Sequence, residues 1–197
     1  MPASLHHEIG LKIADECERR DWISLVTALS NRIEEDRLSE EILFHGTTLE
    51  KARSIMSTGM RPTDAFEVLP DGTEAMTEGS FWGTVKTAAW YAEDTAFYRT
   101  GGTPVLLACP VSFLQTYSIL GIDIASRDFA VPGLTLLEDP EVASRWATGI
   151  PHTWQDSLSD LGSVTALHEY DLPLDAAVIA HDIESLDRIL STRVFSA

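Results

Sequence analysis

The apolar residues of this chain come in short runs, such as Pro104–Leu107 and Ala176–Ala180, separated by Pro, Gly and charged residues. None approaches the roughly 18 residues that a membrane-spanning helix needs. Runs of this kind suit short buried strands, and several intervening segments carry helical spacing. Two regimes follow one another. Leu5, Ile9, Ile13 and Ala14 recur at helical spacing, and so do Trp22, Ile23, Leu25, Val26, Leu29 and Ile33, with Asp21 as an N-cap. No strand signal precedes residue 41. The expectation is a helical N-terminal extension over 1–40, packed on a main domain over 41–197.

Within that domain Glu41–His45 reads as a strand, and Thr48–Thr58 as a helix that Gly59 ends. Residues 60–80, rich in Pro, Asp, Gly and Thr, read as a loop with one short strand. Ser80–Trp82 reads as a strand, Val85–Tyr98 as a helix, and Thr103–Cys109 as a buried strand whose pairing Pro110 limits. Short strand-like pieces follow around Tyr117–Ile119 and Phe129–Val131, then helices over Pro140–Trp146 and Thr153–Leu161. Ser163–Leu172 and Ala177–His181 read as strands, and Ser185–Leu190 as a terminal helix. Many short strands with few helices between them predict an α+β fold with a split, mostly antiparallel sheet. No GxGxxG follows the first strand, which argues against a Rossmann dinucleotide domain.

Charge narrows the partners. The chain carries 14 Lys+Arg against 31 Asp+Glu, a formal charge of −17. Its lysines are Lys12, Lys51 and Lys86, and beyond residue 100 the cations are Arg127, Arg145, Arg188 and Arg193. Long nucleic acids and anionic membranes need clustered cations, so neither is expected as a partner. A nucleotide held locally by Arg53, Arg61 or Arg99 remains compatible. Cys17 and Cys109 make no disulfide framework and read as reduced thiols. The N-terminus lacks an apolar signal core, so a cytoplasmic location is expected. His6-His7 has no further ligands at metal spacing, so no metal is expected.

Three segments carry chemistry. Leu43-Phe44-His45-Gly46-Thr47-Thr48 ends an apolar strand and opens a helix. Gly46 allows a flat ligand to approach the backbone closely, and His45 can donate to or accept from a hydroxyl. A plain strand-to-helix turn capped by Thr47 or Thr48 would look the same. Gly79–Ala92 sets small and hydroxyl residues beside Phe81, Trp82, Trp90 and Tyr91, whose rings can sandwich a planar group or simply fill a core. Glu169 lies in Thr165–Asp171, where alternation places it with Thr165, Leu167 and Asp171. It is either a charge stabiliser or part of a solvated strand face.

Taken in order, the three segments resemble the ADP-ribosyltransferase superfamily, in its His-Tyr-Glu branch of poly(ADP-ribose) polymerases and diphtheria-toxin-like enzymes. HGTTLEKARSIMSTG matches the family's H-G-T strand end followed by a helix and a glycine. GSFWGTVKTAAWY resembles its Gly-aromatic strand running into a helix, TPVLLACPV its hydrophobic strand, and HEYDLPLDAAVIAH its Glu-aromatic step and last strand. The resemblance covers roughly 41–183. It implies NAD as co-substrate and no metal. His45 would hold a ribose hydroxyl, Gly46 would bind the nicotinamide amide through its backbone beside Thr47, and Thr87 would touch the same amide. Trp90 or Tyr91 would stack on nicotinamide, and Glu169 would be the catalytic glutamate. Phe81 or Trp82 stands where the family has its tyrosine, so no phenol is offered there. Leu167 stands where the arginine-modifying branch has Glu or Gln, which disfavours arginine as acceptor.

The activity implied is mono-ADP-ribosyl transfer with release of nicotinamide, to an acceptor that is a protein or small molecule rather than long nucleic acid. A bacterial or phage toxin, effector or defence factor is the context implied by analogy, with an antitoxin or inhibitor as partner. Three alternatives stand beside it. One is an NAD glycohydrolase, another a degenerate acidic module that binds a basic protein. The third is an RNA 2′-phosphotransferase, which would need basic residues near the site, where Arg53, Arg61, Lys86 and Arg99 are the candidates.

Overall fold

A computed structural model describes residues 20–68, 74–123, 141, 153–180 and 182–191. A first helix, α1, occupies 20–35. Strand β1 (Ile42–Thr48) runs into α2 (Leu49–Thr58), followed by β2 (Thr63–Val68) and β3 (Glu74–Gly83). Helix α3 (Val85–Glu93) continues as a π-helical turn over Asp94–Arg99. Then come β4 (Pro104–Pro110), α4 (Val111–Tyr117) and β5 (Ile119–Ile122). The described chain closes with α5 (Trp154–Leu161), β6 (Ser163–Leu167), β7 (Val178–Ala180) and α6 (Ile183–Ser191).

Every strand pairing is antiparallel, and six strands lie side by side in the order β5-β6-β3-β1-β4-β7. The fold is therefore α+β with an open antiparallel sheet. β2 is the seventh strand and pairs with the first half of β3. Gly79 pairs with Leu167 of β6 on one side and with Thr63 of β2 on the other. β2 thus lies on the same edge of β3 as β1, which meets β3 only at Phe44↔Gly83. The sheet opens between them, and a cleft enters there.

Alternation along β1 and β4 builds a core on each face of the sheet. Ile42, Phe44, Leu106 and Ala108 face Trp22, Leu29 and Ile33 of α1, Ala88 and Ala92 of α3, and Leu186 and Ile189 of α6. Leu43, Leu107 and Cys109 face Ala52 of α2, Leu114 of α4 and Leu158 of α5, together with Trp82. Each fully buried leucine contributes about 1.5–3 kcal/mol. α1 is anchored as well by Trp22 Nε1, which donates to Glu93 Oε1 at 2.8 Å. Cys109 belongs to this core; burial pushes its thiol up to about 12, so it stays protonated and inert.

Several expected boundaries move. β1 extends through Thr48 because it pairs with β4 along its whole length, from Ile42↔Pro110 to Thr48↔Pro104. The His-Gly-Thr step is thus strand rather than turn. Thr48 takes the N-cap position of α2 without a side-chain cap bond, and Gly59 ends the helix at φ 87°. Within 60–80, expected as a loop with one short strand, β2 and the first half of β3 pair antiparallel from Thr63↔Gly79 to Val68↔Glu74, a backbone pairing that does not depend on apolar alternation. The helix expected over Val85–Tyr98 changes to π geometry at Asp94, and α4 occupies a stretch with no helical expectation. The strand expected over Ser163–Leu172 stops at Leu167. Thr153 and Asp156 form a capping box on α5 where that helix was expected. The first helix before residue 20, His6-His7, Cys17, Phe129–Val131 and, apart from Glu141, the helix at Pro140–Trp146 lie outside the described residues. No helix among the described residues is long and apolar enough to cross a membrane.

Candidate active-site cleft

The opening between β1 and the middle of β3 leads into a cleft of about 790 Å³. That volume falls within the range of small-molecule sites. Phe44–Thr47 of β1 and Ser80–Gly83 of β3 form two walls, and residues of α2, of α3 with its π-helical turn, and Ser163 complete it.

His45 stands where the two strands part. Its Nδ1–H donates to the Phe81 carbonyl at 2.8 Å, in place of a ladder hydrogen bond. A carbonyl only accepts, so Nδ1 carries the proton and, in the neutral ring, Nε2 is an acceptor. Desolvation by the surrounding protein is the main cause that holds the ring's pKa below 6.5; the bond to Phe81 opposes it and the Lys51 charge adds to it. His45 is therefore neutral at pH 7 and suited to accept from a ligand hydroxyl.

Gly46 contributes backbone. The Glu41 carbonyl accepts from Val111 N and the Leu49 amide donates to Thr103 O, each at 2.9 Å, so the odd residues of β1 face β4. The N–H and C=O of Gly46 therefore point to the opposite edge, where β3 has diverged. A flat amide can meet both groups there. A second constraint acts on the same residue. A Cβ at Gly46 would lie 1.7 Å from the Ala88 carbonyl oxygen, so only glycine lets α3 pack this close.

Behind His45 lies Trp82, 1% exposed, with ring centroids 5.6 Å apart. Trp82 Nε1 donates to Ser80 Oγ at 2.9 Å, Ser80 Oγ meets His168 Nε2 at 3.0 Å, and His168 Nδ1 donates to the Tyr170 carbonyl at 2.7 Å. This buried chain links the cleft wall to the bend that follows β6. Ser80→Ala is expected to orphan both the indole N–H and His168, at a cost of about 1–3 kcal/mol. Chemical denaturation measures that cost. A loss below about 0.5 kcal/mol would mean that the chain does not hold the bend.

The cleft brings together His45, Gly46, Thr47, Phe81, Trp82, Thr87 and Tyr91. They differ in exposure. Trp82 is too buried to offer a ring face, leaving Phe81 and Tyr91 as the aromatic surfaces. Trp90 is 55% exposed and lies outside the cleft. The helical repeat explains this: Thr87, Tyr91 and Thr95 share one side of the helix, and Trp90 is turned away from it. Its ring instead meets Tyr91 edge-on at 4.9 Å. Glu169 is exposed on the bend after β6 and is not among the residues lining the cleft. The reason is that His168 leaves the ladder to bond Ser80, so alternation ends at Leu167. Both ends of the Glu169 segment are nevertheless tied to cleft residues, through Ser80 at His168 and through the Met60↔Leu172 bridge.

The sequence offered no pointer to Ser163. Its Oγ donates to Asp123 Oδ2 at 2.6 Å, and Asp123 is wholly buried. Ser157 joins the cluster, accepting from Asp123 N at 3.0 Å and donating to the Ser163 carbonyl at 2.7 Å. Separations of up to 40 residues leave no spacing from which this contact can be read. Lys51, Arg61 and Arg99 also line the cleft, whereas Arg53 and Lys86 do not. Among the described residues no group of three or more His, Cys, Asp or Glu is placed to hold a metal ion. No protein-family model matches the chain, and neither a curated protein nor a solved structure matches it.

Proposed function

We propose that the chain is an NAD-dependent mono-ADP-ribosyltransferase of the His-Tyr-Glu kind, built on that superfamily's split-sheet core. With water as acceptor the same site would hydrolyse NAD. The observation that carries this reading is the adjacency of two recognition groups where β1 leaves β3. A neutral His45 accepts at Nε2, and the outward backbone edge of Gly46 lies one residue on. The first suits a ribose hydroxyl and the second the carboxamide of nicotinamide. Thr87 and the rings of Phe81 and Tyr91 line the same space.

The reaction breaks the bond between nicotinamide and the ribose. The bonding electrons leave with nicotinamide, positive charge develops on the sugar, and an acceptor attacks the same carbon and gives up its proton. Amide contacts and ring faces orient the leaving group. A carboxylate near the sugar favours the transition state over the ground state. Glu169 takes this role by resemblance. It is exposed on the bend after β6, and catalysis requires the 169–170 bend to turn it inward when NAD binds.

A second reading follows from the same placement. Among the described residues no Asp or Glu lines the cleft, and Glu169 is exposed, as in a module that binds a nucleotide without cleaving it. Release of free nicotinamide from NAD separates the two. The enzyme is expected to release it with or without added acceptors, and Glu169→Gln to lower the rate by about a hundredfold or more. Equal background rates for both proteins, with NAD still bound, would leave only the binding module.

A further inference from the structure

We propose that the mouth of this cleft is an anion site for the diphosphate, or two closely spaced phosphates, of a nucleotide ligand. The proposal deepens the NAD reading and rests on it only for the identity of the nucleotide.

On a chain of charge −17, an arbitrary patch of surface is expected to be acidic. The cleft is the reverse: among the described residues its wall holds three cations and no carboxylate. They come from three separate segments. Lys51 sits on α2, Arg61 two residues beyond the Gly59 cap, and Arg99 at the end of the π-helical turn. Like charges gathered around one opening repel each other, and a bound anion relieves that repulsion.

Their internal compensation is partial. Arg99 pairs with Asp94. Arg61 faces Asp171 only at 4.0 Å and is 83% exposed, so its planar fork is available to a phosphate. Lys51 has no carboxylate at ion-pair distance among the described residues, and its charge is felt by His45 on the cleft wall. Even with Asp94 and Asp171 counted, the described residues of the opening are net cationic. The hydroxyls of Ser54, Thr58 and Thr95 line the same space. Guanidinium, ammonium and hydroxyl donors around one opening suit phosphate oxygens, and three cations from different directions suit two phosphates better than one.

Either the co-substrate or a phosphorylated acceptor can supply this chemistry. Calorimetric titration with ADP, inorganic pyrophosphate and adenosine tests the site on the whole chain. ADP is expected to bind at least about tenfold more tightly than adenosine, and to weaken as salt rises. The combined variant K51Q/R61Q/R99Q removes charge from exposed side chains, so its thermal midpoint should hold, while its ADP affinity should fall at least about tenfold. The single variants provide the same comparison if the triple variant is unstable. Pyrophosphate that competes with NAD assigns the site to the co-substrate, and pyrophosphate that binds alongside NAD assigns it to a phosphorylated acceptor. ADP binding no tighter than adenosine, or unchanged in the folded variants, would overturn the proposal. If ADP binds through these cations but NAD is never cleaved, the anion site stands and the transferase reading falls. If NAD is cleaved and the variants bind ADP like the wild type, the anion site alone falls.

Discussion

Gly46→Ala is expected to destabilise the fold by about 3 kcal/mol or more, the upper end of what overpacking costs. The added Cβ would lie 1.7 Å from the Ala88 carbonyl oxygen and 2.8 Å from the Ala92 amide nitrogen. Both are backbone atoms of α3, so no side chain can swing aside. Relief requires the helix to lift off β1, and with it the packing of Ala88 and Ala92 against Phe44 and Ile42. For a chain of this size the thermal midpoint should drop by about 6–12 °C. Gly121→Ala is the matched control, because a Cβ there meets nothing closer than Leu167 Cδ1 at 3.7 Å. A Gly46→Ala protein melting within about 2 °C of the wild type would show that α3 does not press on β1 at this point.

His45→Ala is expected to weaken NAD binding by about tenfold to a hundredfold, the value of one well-placed hydrogen bond in a sheltered site. Nicotinamide release should fall with it. The variant also leaves the Phe81 carbonyl without its partner, so circular dichroism and a melting curve must show a folded protein before the loss is assigned to the ligand. A pH signature distinguishes His45 from a generic structural residue. Its pKa is lowered in the folded state from 6.5, so below that value the unfolded chain takes up a proton that the folded chain resists. Stability should therefore decline as pH falls through 6.5, until the lowered folded value is passed. That component should disappear in His45→Ala. Ligand binding should persist below pH 6.5, because the ring remains neutral and able to accept. Binding by the wild type that strengthens on acidification would mean that the protonated ring makes the contact.

How much was legible in advance differs from residue to residue. His45, Gly46 and Thr47 are consecutive, so any strand through them brings them to one place. Gly59 as helix stop and Thr153 as helix start were readable because capping is local chemistry. Trp90 and Tyr91 could not be told apart until the helix was oriented, since one residue of rotation sends neighbours to different sides. Glu169 shows the limit of alternation. The pattern continues in the letters after Leu167, but the backbone leaves the sheet because Ser80, 88 residues away from His168, offers a better partner.

The amino-acid order by itself pointed to an α+β class with a mostly antiparallel sheet, because few helices separate its short strands, and it marked most of the helices and the polar His45-Gly46-Thr47 step in the first strand. The helices and that step depend on residues within a turn or two of one another. Tertiary structure alone decided that β1 meets β3 at a single pair, so that a cleft opens. It also decided that Lys51, Arg61 and Arg99 of an acidic chain line that cleft, that Ser163 bonds the buried Asp123, and that Glu169 is exposed on the bend after β6 and not among the lining residues. Each depends on contacts between segments far apart in the chain, where strand pairing and burial outweigh local preference.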